Sequence, residues 1–79
     1  MRKNLSHLAV GQRAVIDMIR GDAPSANFLS AIGLLPGKMV EVSRVAPLGD
    51  PIAVHVEGQQ ISLRRSDAAD ISILPNAAE

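Results

Sequence analysis

Alternation of apolar and polar residues along much of the chain predicts β-strands. Residues 13–20, RAVIDMIR, follow Gly11 and are rich in β-branched and apolar residues, as expected for a first strand. From Met39 onward the two residue classes alternate until the register shifts by one at residues 44–46, which predicts a β-bulge or a bend. Residues 71–74, ISIL, predict a last short strand.

The segment IAVHVEGQQISLRR, residues 52–65, contains two alternating runs on either side of Glu57-Gly58. This pattern predicts a β-hairpin with a tight turn at Glu57-Gly58. Because successive strand residues face opposite sides of a sheet, the apolar positions fall on one face and the remaining positions on the other. The expected buried face consists of Ile52, Val54, Val56, Ile61 and Leu63; the expected outer face consists of Ala53, His55, Glu57, Ser62 and Arg64.

The segment PSANFLSAIG predicts one α-helix over about residues 25–33. Phe28, Leu29 and Ile32 have the spacing of one helical face. Gly33 suits the left-handed position that follows many helices. The pattern therefore predicts a helix of two or three turns inserted between the first two strands.

Proline and glycine mark a reverse turn directly after this helix. Pro36 and Gly37 occupy the two central positions of a type II turn, because proline presets the first φ and glycine supplies the positive φ that follows. Further along, Ser66 is expected to cap a single helical turn that ends at Ala69.

Five short strands and one inserted helix predict a mainly β fold, a small closed or nearly closed barrel. We expect one domain over residues 1–79, with an ordered core over about residues 5–74 and a flexible tail over residues 75–79. The 79-residue chain is 47% hydrophobic but contains one Phe and no Trp or Tyr, so its core must be aliphatic.

Charge and cysteine content limit the classes of function. Lys plus Arg and Asp plus Glu number 8 each, and this balance disfavours nucleic acid as a partner. Cysteine is absent, which removes disulfides and thiolate chemistry and fits a reducing compartment. No apolar run approaches the roughly 20 residues that span a bilayer, so we expect a cytoplasmic protein without membrane insertion.

The segment GLLPGKMVEV, Gly33–Val42, superficially resembles a phosphate-binding loop. Such a loop has about four residues between its first glycine and the Gly-Lys pair, then Ser or Thr, and leads from a strand into a helix. Here three residues intervene, Met39 replaces the hydroxyl residue, and the predicted order is helix, turn, strand. Gly33, Pro36 and Gly37 are therefore predicted to be structural turn residues.

Candidate residues for metal binding or catalysis are few. His55 and Glu57 stand two residues apart on one strand face and form a weak metal site unless a third ligand comes from elsewhere. No nucleophile, base or carboxylate pair has a spacing that indicates catalysis. We therefore expect no enzyme activity, no cofactor and no metal.

Three motifs give the chain a specific family resemblance. They are Leu-x-x-Ile-Gly-Leu-x-Pro-Gly, Ala-Pro-Leu-Gly-Asp-Pro and Leu-Arg-Arg-x-x-Ala, within a match from about Leu5 to Ile73. In combination they resemble the FeoA family, the small cytosolic component of bacterial ferrous iron transport. The resemblance implies an SH3-like barrel with an inserted helix, no catalytic residues, and an accessory role through protein–protein interaction with the FeoB iron permease at the inner membrane. The permease bears its own GTP-binding domain.

The same fold also occurs in modules of metal-dependent repressors. This similarity implies an alternative function, a metal-responsive domain that binds a divalent transition metal directly.

Partner contact is predicted at the loop APLGDP, because its prolines restrict the backbone and lower the ordering cost of binding. Leu48 offers an apolar tip there, or alternatively folds back to close the barrel end. Three arginines are expected to form a polar rim, for an apolar helix face or for an extended segment added to a strand edge. The predicted partner-binding residues are Pro47, Leu48, Gly49, Asp50, Pro51, Arg44, Arg64 and Arg65.

Arg64 and Arg65 are adjacent at the predicted end of the hairpin. One alternative is that either arginine reaches into the partner's GTP site. The other is that both serve solubility or an ion pair, because adjacent strand residues point to opposite faces.

Overall fold

The computed structural model describes residues 3–22 and 26–75, which form one antiparallel sheet of six strands with two short α-helices. The strands are β1 (Lys3–Asn4), β2 (Arg13–Ile19), β3 (Met39–Val45), β4 (Ile52–Val56), β5 (Gln59–Leu63) and β6 (Ile71–Pro75). The helices are α1 (Ala26–Ala31) and α2 (Arg65–Ala69), and a 3-10 helix spans Leu5–His7. Among the described residues, no helix is long and apolar enough to cross a membrane.

The strands are ordered β1-β6-β2-β3-β4-β5, so β1 and β5 lie at the two edges of the sheet. The sheet curls around one core, and the molecule measures 28 Å along each principal axis. The predicted mainly β fold is confirmed. β1 is an additional strand that the sequence did not predict, because two residues paired with β6 are too few to produce an alternating pattern.

The inner face of the sheet, both helices and the 3-10 helix contribute to a fully aliphatic core. Among the described residues no polar side chain is buried. Burial of these apolar side chains is the main favourable contribution to folding. The buried residues are Leu5, Ala14, Ile16, Leu29, Leu34, Val40, Val42, Ile52, Val54, Val56, Leu63, Ala68, Ile71 and Ile73.

The predicted hairpin is confirmed in both turn and register. Ile52 pairs with Leu63 and Val54 with Ile61, which places the apolar residues of β4 and β5 on the core side. The turn residues Glu57 and Gly58 have φ values of 50° and 81°. Positive φ at both central positions is the geometry of a type I′ turn, which matches the twist of the two strands.

Asparagine at position 57 is expected to stabilise this turn relative to alanine. Asparagine tolerates positive φ better than other side chains with a Cβ, whereas both Glu57→Asn and Glu57→Ala remove the exposed ion pair with Lys38. We expect the unfolding free energy of the Glu57→Asn variant to be about 0.5–1 kcal/mol higher than that of the Glu57→Ala variant. Urea denaturation measures the difference, and equal stabilities would contradict this account of the turn.

Helix α1 is shorter than predicted, and its apolar residues differ in burial. It ends at Ala31, and residue 25 lies outside the described residues. Leu29 is fully buried and Ile32 packs against the core, but Phe28 is 59% exposed. Phe28 lies outside the buried stripe of the helix, because six helical residues present only a narrow stripe to the sheet.

The turn after α1 has the predicted geometry. Gly33 and Gly37 have φ values of 103° and 90°, which glycine adopts without steric cost. The N–H of Lys38 donates to the carbonyl of Leu35 at 3.1 Å and closes the turn around Pro36. The turn delivers the chain into β3, as predicted.

Two local predictions need correction. The register shift in β3 lies between Val42 and Arg44, slightly before the predicted position, and the Ser43 hydroxyl there donates to the carbonyl of Ala53 at 3.2 Å. Helix α2 exists, but Ser66 lies inside it and Arg64 is its N-cap residue. Pro75, the first residue of the predicted flexible tail, is the last residue of β6; residues 76–79 lie outside the described residues, so the tail stays a prediction.

Candidate partner-binding site

The loop between β3 and β4, residues 46–51, forms a closed turn held by its own backbone. The N–H of Ala46 donates to the carbonyl of Pro51 at 3.1 Å, and the N–H of Gly49 donates to the carbonyl of Ala46 at 2.7 Å. Gly49 has a φ of 89°, so a residue without a Cβ is required for this turn. These two hydrogen bonds fix the base of the loop and leave its tip projecting outward.

Leu48 forms the tip of this loop and is 97% exposed. Of the two alternatives for Leu48, the structure excludes the one in which the side chain folds back into the barrel end. Leu48 is therefore not part of the hydrophobic core. Contact between Leu48 and a partner stays a prediction.

Arg65 ties the loop to the rest of the protein. The backbone N–H of Arg65 donates to Oδ1 of Asp50 at 3.0 Å. In its guanidinium group, Nη1 donates to the carbonyl of Gly49 at 3.1 Å and Nη2 to the carbonyl of Ser6 at 3.2 Å. We call these three hydrogen bonds the Arg65 clasp. The clasp joins α2, the 3-10 helix and the loop, so the loop is positioned from two sides.

The structure therefore shows that the two adjacent arginines have different surroundings. β5 ends at Leu63, so neither Arg64 nor Arg65 is a strand residue, and the expectation that they project from opposite strand faces is wrong. The Arg65 guanidinium donates two of the three hydrogen bonds of the clasp, both to backbone carbonyls. Arg65 therefore positions the loop, whereas the sequence analysis expected its charge to lie free at the rim. Arg64 is exposed at the beginning of α2.

Removal of the Arg65 side chain is expected to loosen the loop and lower stability. Arg65→Ala removes two hydrogen bonds from a charged group, and because the side chain is exposed we expect a loss of about 1 kcal/mol in unfolding free energy. The matched control, Arg64→Ala, is expected to change the unfolding free energy by less than about 0.5 kcal/mol. Chemical denaturation compares the two, and equal losses would show that the clasp is not stabilising.

Arg44 lies in an open groove of about 320 Å³ on the outer face of the sheet. Ala53 faces Arg44 across β3 and β4, and Ser62 faces Ala53 across β4 and β5, so small side chains form the floor. The groove begins at the base of the loop. Its lining residues are Arg44, Ala46, Pro51, Ala53, Gln60 and Ser62.

The two weak metal-ligand candidates each have another polar neighbour. Nε2 of His55 lies 3.2 Å from Oε1 of Gln60, and Oε2 of Glu57 lies 2.7 Å from Nζ of Lys38. Within the described residues, no group of three or more His, Cys, Asp or Glu residues could hold a metal ion. The structure therefore brings no third ligand to His55 and Glu57 from that part of the chain.

An apolar strip on the outer face was missed by the sequence analysis. Val15 on β2 pairs with Met39 on β3 and with Leu74 on β6, so the three side chains form a row. Met39 and Leu74 are 44% and 48% exposed. The available signal was that β2 contains apolar residues at successive positions, which is typical of a strand with apolar residues on both faces.

The geometry defines a class of protein: a small, mainly β domain with one antiparallel sheet and an exposed loop that the Arg65 clasp holds in place. The chain belongs to the FeoA family, since the family model described as "FeoA domain" matches residues 3–75. The chain is 36% identical over 69 residues to the Fe(2+) transport protein A/Fe(2+) transporter FeoB fusion protein of Porphyromonas gingivalis, covering 87% of the chain but only 8% of that relative. The chain therefore spans less than a tenth of this curated relative's length.

Solved structures agree with the family assignment. The FeoA protein from Chlorobium tepidum is 34% identical, with a TM-score of 0.87 over 98% of this chain and 73% of that chain. FeoA of Stenotrophomonas maltophilia, solved with zinc and described as an SH3 domain protein, is 26% identical, with a TM-score of 0.80 over 96% and 92% of the two chains. The predicted SH3-like fold is confirmed.

The fold also occurs in a manganese-dependent transcriptional repressor. That structure is 16% identical, with a TM-score of 0.83 over 95% of this chain and 42% of that chain. At this identity the similarity concerns the fold alone.

Proposed function

We propose that this chain is a small cytoplasmic accessory protein of bacterial ferrous iron uptake that acts by binding the FeoB-type permease. The observation that carries the proposal is the fusion relative, in which a region similar to this chain and an FeoB transporter belong to one polypeptide. Two modules in one polypeptide are at a high effective concentration relative to each other, so fusion promotes direct contact between them. A separate chain of the same family would achieve that contact by binding.

The Ala46–Pro51 loop is the surface best suited to this contact. An almost fully exposed leucine at the tip of a braced loop exposes apolar area to water, and burial in an apolar cup of the partner recovers the hydrophobic free energy. Because the Arg65 clasp and the backbone hydrogen bonds already order the loop, binding loses little additional conformational entropy. The loop therefore acts as a preformed apolar knob.

The accessory role requires no catalysis by this chain. Ser6 and His7 are adjacent, and both take part in capping the 3-10 helix. The Ser6 hydroxyl donates to the Asn4 side chain, and Nδ1 of His7 accepts from the Asn4 N–H at 3.3 Å. These hydrogen bonds support a structural role for both residues.

Co-purification tests the proposed function. The affinity-tagged permease encoded by the same organism, solubilised in detergent, should retain this chain from a mixture of purified components. The fold-matched control is the C. tepidum FeoA protein, which should be retained less strongly if the contact is specific. Absence of retention in both the GTP-bound and the nucleotide-free state would overturn the proposal.

Direct metal binding is the second candidate function. It is favoured by the zinc complex of the S. maltophilia FeoA protein and ranks lower because His55 and Glu57 lack a third ligand among the described residues. Anaerobic calorimetry with ferrous ion distinguishes the two functions. An accessory protein should give no saturable heat, whereas a metal-responsive domain should give a defined stoichiometry that His55→Ala removes.

A further inference from the structure

The groove on the outer face brings hydrogen-bond donors of β3 and β5 together above a floor of small side chains. Arg44 on β3 pairs with Ala53 on β4, and Ala53 pairs with Ser62 on β5, so the three residues form one row. Neighbouring strands lie about 5 Å apart, so Arg44 and Ser62 are each one strand spacing from Ala53. A ligand group seated over the Ala53 methyl is therefore within reach of both side chains.

The donors of this groove have unused hydrogen-bonding capacity. Within the described part of the chain, Arg44 takes part in no ion pair and no side-chain hydrogen bond, and Glu41 on the same strand does not pair with it. The Ser62 hydroxyl likewise makes no hydrogen bond to the described residues. Oε1 of Gln60 faces Nε2 of His55 at 3.2 Å, which leaves the Gln60 amide nitrogen, on the other side of the amide group, to donate to a ligand.

The charge and the size of the groove indicate what it binds. Arg44 is the one charged residue among its described lining residues, so the groove attracts an anion. A guanidinium binds a carboxylate with two parallel hydrogen bonds, and the amide and hydroxyl donors of β5 can bond the remaining lone pairs. The volume of about 320 Å³ is near the lower end of the roughly 300–1,000 Å³ of ligand pockets, which suits one side chain better than a helix or a strand. Together these properties select a carboxylate on a short side chain.

We infer that this groove binds the carboxylate of an aspartate or glutamate side chain that the FeoB-type permease presents beside the Ala46–Pro51 loop. Arg44 pairs with the carboxylate, and the donors of β5 fix its orientation. The inference rests on the proposed function. Ala46 and Pro51 belong both to the loop and to the groove lining, so a partner that covers Leu48 is positioned to insert a neighbouring acidic residue. The apolar contact at Leu48 supplies affinity, whereas the charge pair selects the partner and its orientation.

A small probe tests the groove in the absence of the permease. The isotope-labelled protein is titrated at constant ionic strength with the α-amide of N-acetylglutamate or of the isosteric N-acetylglutamine, and the NMR signals of the Arg44 Nε–H and of the Gln60 side-chain amide are recorded. The glutamate probe should shift both signals to saturation and bind at least about fivefold more tightly than the glutamine probe. Equal binding of the two probes, or shifts that map to other residues, would overturn the inference. Equal binding of sodium sulfate would do the same, because the groove would then take any small anion.

Three variants separate binding in the groove from a general effect of charge. Ala53→Leu fills the floor of the groove without a change of charge and should weaken binding of the glutamate probe at least about fivefold. Arg44→Glu should abolish the binding. Lys3→Glu makes the same charge change on β1, outside the groove lining, and should leave the affinity for the probe within about twofold. Thermal melting checks that each variant is folded, and native probe affinity in a folded Ala53→Leu or Arg44→Glu variant would contradict the inference.

Binding to the permease tests the source of the carboxylate. Arg44→Glu should weaken permease binding at least about tenfold in Kd, whereas Lys3→Glu should not weaken it. Native permease affinity of the Arg44→Glu variant would show that the permease inserts no carboxylate here. Failure of the glutamate probe counts against the groove alone, whereas failure of the native chain to co-purify counts against the proposed function, so the two failures are distinguishable.

Discussion

Leu48→Asp is expected to weaken permease binding by at least about 2 kcal/mol, or about 30-fold in Kd, while leaving the fold intact. The side chain is 97% exposed, so the folded protein loses almost no burial when it is replaced. In the complex, by contrast, aspartate would place an uncompensated charge in an apolar cup. Calorimetric titration against the permease measures the change, and thermal melting checks the fold.

Two control variants separate the chemistry of Leu48 from its position. Leu48→Met keeps an apolar side chain of similar volume and should bind within about threefold of the native protein. Leu74→Asp introduces the same charge on the outer sheet face, at a leucine that is 48% exposed, and should leave binding unchanged. Native affinity for Leu48→Asp, or equal losses for Leu48→Asp and Leu74→Asp, would contradict a specific role for the loop tip.

Ile16→Ala is expected to cost about 2–5 kcal/mol of unfolding free energy, the largest effect on stability among our predictions. Ile16 is 1% exposed on β2, which pairs with β6 on one side and β3 on the other. Its removal leaves a cavity that neighbouring aliphatic side chains fill only partly. Since a domain of this size has a total stability near the low end of about 5–15 kcal/mol, much of it would be lost.

Met18→Ala on the same strand is the control for this substitution. Met18 is 50% exposed, so its truncation is expected to cost less than about 1 kcal/mol. Thermal and urea unfolding of both variants provide the comparison. Similar losses for the two variants would contradict the assignment of the inner sheet face as the core.

Local sequence signals predicted the elements whose geometry depends on neighbouring residues. Glu57-Gly58 between alternating runs predicts a hairpin because the turn and the register are both set within a few residues. Pro36-Gly37 predicts a turn for the same reason, since each residue restricts or extends its own φ. The structure confirms both features.

Long-range contacts explain what the sequence did not predict. The Arg65 clasp joins Arg65 to Ser6 across 59 positions of the chain, and no local pattern records such a contact. Composition also cannot decide whether Leu48 is buried, because an apolar residue between two prolines suits either environment. Helical spacing places Phe28, Leu29 and Ile32 on one face but does not decide which of them is buried, and the short α1 helix leaves Phe28 59% exposed.

Site-specific photo-crosslinking tests the central claim, contact of the loop tip with the permease, most directly. A photoreactive amino acid is placed at position 48 or, as a control, at position 3 on the edge strand β1, and each protein is irradiated with the permease in nanodiscs. We expect crosslinks to the permease from position 48 and none from position 3. Crosslinks from position 3 alone, or none from position 48 while the native chain co-purifies, would contradict the claim.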